Sequence, residues 1–174
     1  DNEIFGLDSI DILPNLKKLN IGRNQLSNFN FAAKMPNLEV LNMEWNPIIY
    51  RHFEQLQTLT HLKELNLQGT NTRNLSFLQP LKSLRRLELN GVDGIESLEP
   101  LTHLPNLGVL IIKFSTIIDA SAIAKLEQLF VLILDHTELE DYQFLANFPN
   151  LRTLDLTGCK VENIDFLKNL TTIW

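Results

Sequence analysis

Leucine recurs along this chain at a fixed interval. Leu16, Leu38, Leu62, Leu84, Leu107, Leu129 and Leu151 form one column, with successive spacings of 22, 24, 22, 23, 22 and 22 residues. Three residues later every unit has leucine again: Leu19, Leu41, Leu65, Leu87, Leu110, Leu132 and Leu154. Two residues further on stand Ile21, Met43, Leu67, Leu89, Ile112, Leu134 and Leu156. The second and third columns alternate with other residues at period two, so their side chains point to one side of a strand. A unit this short cannot bury its apolar side alone. Stacked units build one continuous core in which each touches mainly its neighbours. The pattern predicts seven short strands side by side in a parallel sheet.

The second half of each unit is also apolar at fixed spacing. Leu13, Met35, Leu59, Leu81, Leu104, Leu126, Phe148 and Leu170 precede the strand leucine by three. Ile10, Ala32, Leu56, Leu78, Leu101, Ile123, Leu145 and Leu167 lie three earlier still. A gap of three fits a helical turn. Ser121–Gln128 and Tyr142–Asn147 read as short helices, while Pro80 and Pro100 point to 3₁₀ or irregular turns. The second unit is longer by two and is expected to carry a fuller helix between Pro47 and Gln57.

Between the halves lies a bend. Its column runs Asn24, Asn46, Thr70, Val92, Ser115, Thr137 and Cys159. A backbone that turns inward needs partners for its polar groups. Asn supplies donors and acceptors, Thr, Ser and Cys fewer, and Val none. The fourth unit also has one extra residue near Gly91-Val92-Asp93-Gly94, so an irregularity with an interrupted ladder is expected there.

The unit L-x-x-L-x-L-x-x-N/T/S/C-x-L resembles the leucine-rich repeat. The run from Leu16 through Asn24 to Leu26 matches it in full. The resemblance covers essentially the whole chain, and the 22-residue period is most similar to the subclass of bacterial internalins and the nuclear regulatory subunit of type-one protein phosphatase. It implies an α/β fold: a right-handed solenoid with a concave parallel sheet and short helices or 3₁₀ turns on the convex side. Residues 1–174 then form a single domain of about seven full repeats with partial repeats at both ends. Asn2, Ile4 and Leu7 sit 22 residues before Asn24, Leu26 and Phe29, and Ile173 sits 22 after Leu151. The chain is therefore expected to be part of a longer protein.

The register also predicts the open concave face. Its residues stand two, four, six and seven places after the first leucine. At the four-after position the series is Asn20, Asn42, Asn66, Glu88, Ile111, Ile133 and Asp155. It turns apolar at the fifth and sixth units, where Val109, Ile111, Phe114, Val131 and Ile133 are expected to form one patch, since neighbouring strands lie ~4.8 Å apart. Lys113, Asp135 and His136 rim it, together with Arg86 and Glu88. A contiguous apolar surface with a polar edge is the form of an interaction site. Trp45, near Arg23 and Val40, is a second candidate, because Trp and Arg are frequent hot spots.

Composition narrows the partner. A net charge of −6 argues against a general nucleic-acid or acidic-membrane binder. No apolar run reaches the ~18 residues of a membrane span. Residues 1–15 carry Asp1, Glu3, Asp8 and Asp11 where a secretory signal would be basic and then apolar; the compartment stays open. The one cysteine, Cys159, has no partner for an internal disulfide, and in the bend column it reads as a hydrogen-bonding thiol. Asn74-Leu75-Ser76 and Asn169-Leu170-Thr171 fit the glycosylation sequon, as Asn-rich repeats do by chance. The sequence has no catalytic motif of the lipase, P-loop, zincin or dinucleotide type. His52, His61, His103 and His136 share no column, so neither a metal cluster nor a cofactor is expected. The expected role is a non-enzymatic module that binds another protein on its concave face. The alternative is a targeting or regulatory arm of a larger enzyme, bacterial effector or adhesin.

Overall fold

The computed structural model describes residues 2–139, 141–165 and 168. Leu167, the Asn169 sequon, Leu170 and the strand expected at Ile173 lie outside them. Among the described residues, seven three-residue strands alternate with six complete 3₁₀ helices. The strands are β1 (Lys18–Asn20), β2 (Val40–Asn42), β3 (Glu64–Asn66), β4 (Arg86–Glu88), β5 (Val109–Ile111), β6 (Val131–Ile133) and β7 (Thr153–Asp155). They form one open parallel sheet in sequence order. The leucine columns set the register: Leu19, Leu41, Leu65, Leu87, Leu110, Leu132 and Leu154 stand opposite one another along the whole sheet.

The core lies between this sheet and the 3₁₀ helices. The first-column leucines Leu38, Leu62, Leu84, Leu107, Leu129 and Leu151 are fully buried, as are Leu132 and Leu134. Phenylalanine adds a spine beneath the first units: Phe29 meets Phe53 at 5.4 Å between ring centres, and Phe53 meets Phe77 at 5.1 Å. That spacing is favourable for tilted rings.

The convex segments are shorter and tighter than expected. η1 spans Asn30–Lys34, η2 Tyr50–Thr58, η3 Ser76–Leu78, η4 Glu99–His103, η5 Ser121–Lys125 and η6 Gln143–Asn147. The helices expected at Ser121–Gln128 and Tyr142–Asn147 are five-residue 3₁₀ segments. The physical reason is the column spacing itself. Buried residues three apart suit i→i+3 bonding, which closes as in Leu126 N–H to Ile123 O at 3.0 Å. The longer second unit does carry the longest of these segments, nine residues, but it too is 3₁₀.

The bend column works as a hydrogen-bonded ladder. Asn46 Nδ2 donates to the carbonyls of Ile21 in the preceding unit and of Met43 in its own, and its Oδ1 accepts from Leu26 N–H. Ser115 reaches back to Leu89 O at 3.1 Å, Thr137 to Ile112 O at 2.9 Å, and the half-buried Cys159 thiol to Leu134 O at 2.9 Å. Val92, buried at this position, has no such group. Thr70 turns to Leu67 O of its own unit at 2.7 Å, so the ladder skips two steps, at Thr70 and at Val92. The fourth unit's extra residue falls between Gly91 and Gly94, whose φ values of 66° and 72° suit glycine.

One core column contains a polar exception. Two residues after the bend stand Leu26, Ile48, Thr72, Ile117, Leu139 and Val161, with Ile95 one place later in the extended unit. Thr72 is completely buried, and its hydroxyl has no hydrogen-bond partner.

Three outcomes test this packing by urea denaturation. Leu132→Ala leaves a core cavity and costs ~2–5 kcal/mol. Asn46→Ala strands buried carbonyls and the Leu26 N–H, at a cost of about 2 kcal/mol or more. Thr72→Val removes an unpaired buried hydroxyl at nearly constant volume and stabilises by about 1 kcal/mol.

Candidate functional site

The concave face is built on two local rules. The first concerns the residue four places after the first leucine. Asn20, Asn42, Asn66 and Asp155 each accept, through Oδ1, the N–H two residues on, at 3.2, 2.9, 2.9 and 2.9 Å. Such an Asx turn closes the bend that follows the strand in these four units. At Asp155 the Thr157 hydroxyl joins the Thr157 N–H, and the two hold the carboxyl below its usual range. Isoleucine replaces this group at Ile111 and Ile133. There Lys113 N–H turns to Asn90 Oδ1 of the preceding unit, 3.0 Å away.

The second rule concerns the residue seven places after the leucine. Arg23, Trp45, Gly69, Gly91, Phe114, His136 and Gly158 all have positive φ, between 50° and 67°. From Arg23 to His136, each donates its N–H to the carbonyl just before the corresponding residue of the next unit, at 2.7–2.9 Å. This ladder runs alongside the sheet and holds each of these residues left-handed. Glycine accepts that conformation freely, whereas any other residue is strained by roughly 1–2 kcal/mol. Four units therefore place a side chain where glycine fits better, and three of those side chains are ring systems.

These rings lean toward the following unit. Trp45 covers Gly69, where a Cβ would come within 2.3 Å of the indole, and His136 covers Gly158 in the same way. Phe114 stacks on His136 with ring centres 4.8 Å apart and planes 19° from parallel. His136 Nδ1 lies 2.6 Å from Asp135 Oδ1, and Lys113 Nζ lies 3.6 Å from Asp135 Oδ2. Phe114 is 60% exposed.

The register brings most of the predicted patch together. Val109 stands opposite Val131, and Ile111 opposite Ile133. The patch is less open than expected, however. Val109, Val131 and Ile133 are half-buried, and Ile111 is only 6% exposed between its register partners Glu88 and Ile133. Ile111 is thus a packed floor, and a charge placed there would be buried. Arg86 and Glu88 neutralise each other at 2.8 Å on the rim.

Arg23 and Trp45 stand in adjacent units of the left-handed row. Arg23 Nε turns to Glu44 Oε1 at 3.3 Å, while Trp45 lies over Gly69. Both are exposed, two or more units away from the Phe114–His136 pair. The two local rules went unread in the sequence. Their signals are an Asn/Asp column and a column rich in glycine.

Among the described residues, no group of three His, Cys, Asp or Glu side chains is placed to hold a metal ion, and no helix is long and apolar enough to cross a membrane. Tyr142 is packed between Leu139 N–H and Thr137 O, and burial pushes its phenol up to about 12.

The sheet, the 3₁₀ return segments and the ladder define a leucine-rich repeat solenoid. The family model of leucine-rich repeats in two copies matches residues 127–169 of this chain. The chain is 38% identical over 93 residues to Toll-like receptor 2 of Ovis aries, as it is to that of Capra hircus. That segment is 51% of this chain and 12% of the receptor. Among solved structures it is similar to internalin C2 of Listeria monocytogenes, with a TM-score of 0.81 and 25% identity over 92% of this chain and 70% of that one. It is also similar to the receptor chain of a TLR13–ssRNA13 complex, with a TM-score of 0.73 and 26% identity over 91% of this chain and 24% of that one.

The strained row makes a measurable claim. Phe114→Gly, which copies the residue found in the third, fourth and seventh units, removes left-handed strain at the loss of one exposed stacking contact. Its unfolding free energy, from urea denaturation, is expected to stay within about 1 kcal/mol of wild type or to rise.

Proposed function

We propose that this chain is a non-enzymatic recognition module that binds a partner protein on its concave face, centred on β5 and β6. One observation carries the reading. Two adjacent units give up the turn-closing carboxyl or amide for isoleucine and place a stacked Phe114–His136 pair on strained backbone. Local stability argues against both choices, and strained backbone concentrates where a surface has a task. The resulting arrangement, an apolar centre of Val109, Val131 and Ile133 rimmed by Lys113, Asp135 and His136, suits a protein interface. Trp45 and Arg23 provide a second, separate contact point. The net charge of −6 favours a protein over a nucleic acid, although one structural relative is described in complex with single-stranded RNA.

The alternative role, as the reading arm of a larger enzyme, effector or adhesin, uses the same face. It is favoured by the length of the receptors of which the matched segment is 12%.

The test borrows residues from the chain's other units. A Phe114→Gly, Ile133→Asn double variant restores the Asn and Gly of the polar repeats, so it is expected to fold. Proteins captured from the source organism by wild type should be lost by more than ~10-fold on this variant, as for an interface centre. Equal capture by the folded variant would remove β5 and β6 as the site. Loss of capture on nuclease treatment would instead indicate a nucleic-acid partner.

A further inference from the structure

A second surface feature lies along the edge of the sheet where the strands begin, away from Phe114 and Ile133. It is set by the residue just after each first leucine: Lys17, Glu39, Lys63, Arg85, Gly108, Phe130 and Arg152. Here too a backbone ladder fixes the spacing, each N–H donating to the same position of the preceding unit at 2.7–3.0 Å. The first three side chains satisfy one another. Glu39 bridges Lys17 at 3.2 Å and Lys63 at 2.5 Å, and these two ammonium groups hold its carboxyl below the usual range. The next position breaks the alternation. Arg85 follows Lys63 with no carboxylate between them, is exposed, and makes no ion pair among the described residues.

Glycine then opens the wall. Gly108 has no side chain, and Phe130 lies over it, so that a Cβ there would stand 2.2 Å from the ring. The result is a groove of about 690 Å³ lined by Lys63, Glu64, Arg85, Arg86, Val109 and Phe130, with Asn106 at its margin. The Phe130 ring, 43% exposed, and the half-buried Val109 give it an apolar end beside the uncommitted guanidinium.

We propose that this groove takes an acidic segment of the partner protein, with one carboxylate on Arg85 and the adjacent apolar side chain against Phe130 and Val109. The charge count selects the ligand. Of the three cations lining the groove, Lys63 is held by Glu39 and Arg86 by Glu88, which leaves the Arg85 guanidinium without an ion pair. A single carboxylate matches that charge and the planar fork of arginine. The groove is also a local positive feature on a chain of net charge −6, which is the kind of patch that orients an acidic partner. The proposal rests on the reading that the concave face binds protein, and adds the chemistry of the segment crossing its edge.

The test needs no partner. Acetyl-Leu-Glu-Leu-amide is titrated into the folded chain, with the Arg85 Nε–H and Phe130 ring signals followed by NMR. The expected result is saturable shifts of both, weakened at least ~3-fold by high salt, as for a partly exposed ion pair. Arg85→Ala and Phe130→Ala are expected to abolish the shifts, and Arg85→Lys to weaken them. Acetyl-Leu-Gln-Leu-amide is expected to give none. The proposal is overturned if the glutamine peptide shifts the same signals equally, if folded Arg85→Ala binds as wild type does, or if the corresponding phosphoserine peptide binds more tightly than the glutamate peptide. Because Arg85 is exposed, its removal is expected to leave the circular dichroism unchanged; if Arg85→Ala does not fold, Arg85→Gln makes the same comparison. The concave-face reading would survive a negative result here, since it is judged on Phe114 and Ile133.

Discussion

Everything in this molecule depends on one constraint: a unit of about 22 residues cannot bury its own leucines. Leu62, Leu84 and Leu107 reach zero exposure only because another unit lies on either side of each. Hydrophobic burial thus acts between units, and the chain must keep every unit in phase to obtain it. Three backbone ladders run along the stack in addition to the buried columns. One lies at the start of the strands, one is the sheet itself, and one follows the left-handed row from Arg23 to His136. They leave little freedom in how one repeat sits on the next.

That rigidity explains where variation is tolerated. Inward positions are nearly uniform. Outward positions are free in chemistry but fixed in place, spaced one strand apart. A side chain there is presented at a known pitch. Phe114 meets His136 face to face because both backbones are locked at the same φ and spaced by the sheet. The same pitch makes glycine informative. Gly69, Gly108 and Gly158 leave room for the ring of a neighbouring unit, so the absence of one side chain decides the placement of another.

Function, on this reading, is written as departures from the repeat. Isoleucine replaces the turn-closing Asn or Asp at two strands, rings replace glycine in a left-handed row, and Arg85 breaks a charge alternation. Each costs some local stability or leaves a charge unpaired. A stack with a continuous core can accommodate these costs, because neighbouring units continue to hold the backbone in place.

The sequence by itself determined the architecture, since leucine columns at a 22-residue interval admit one way of burying them all: strand beside strand, in register and in order. It also determined which residues share the concave face, because side-chain direction alternates along a strand, and it marked Val92 as a gap in the bend ladder. Only the tertiary structure decided how open that face is. Exposure depends on what the flanking strands contribute, and Ile111, outward by period, is nearly covered between Glu88 and Ile133. It likewise decided that the return segments are 3₁₀, that the Asn column closes turns, and that the ring-bearing positions are left-handed. Those properties come from hydrogen bonds between units, such as Trp45 N–H to Gln68 O, and such bonds exist only once the units are stacked.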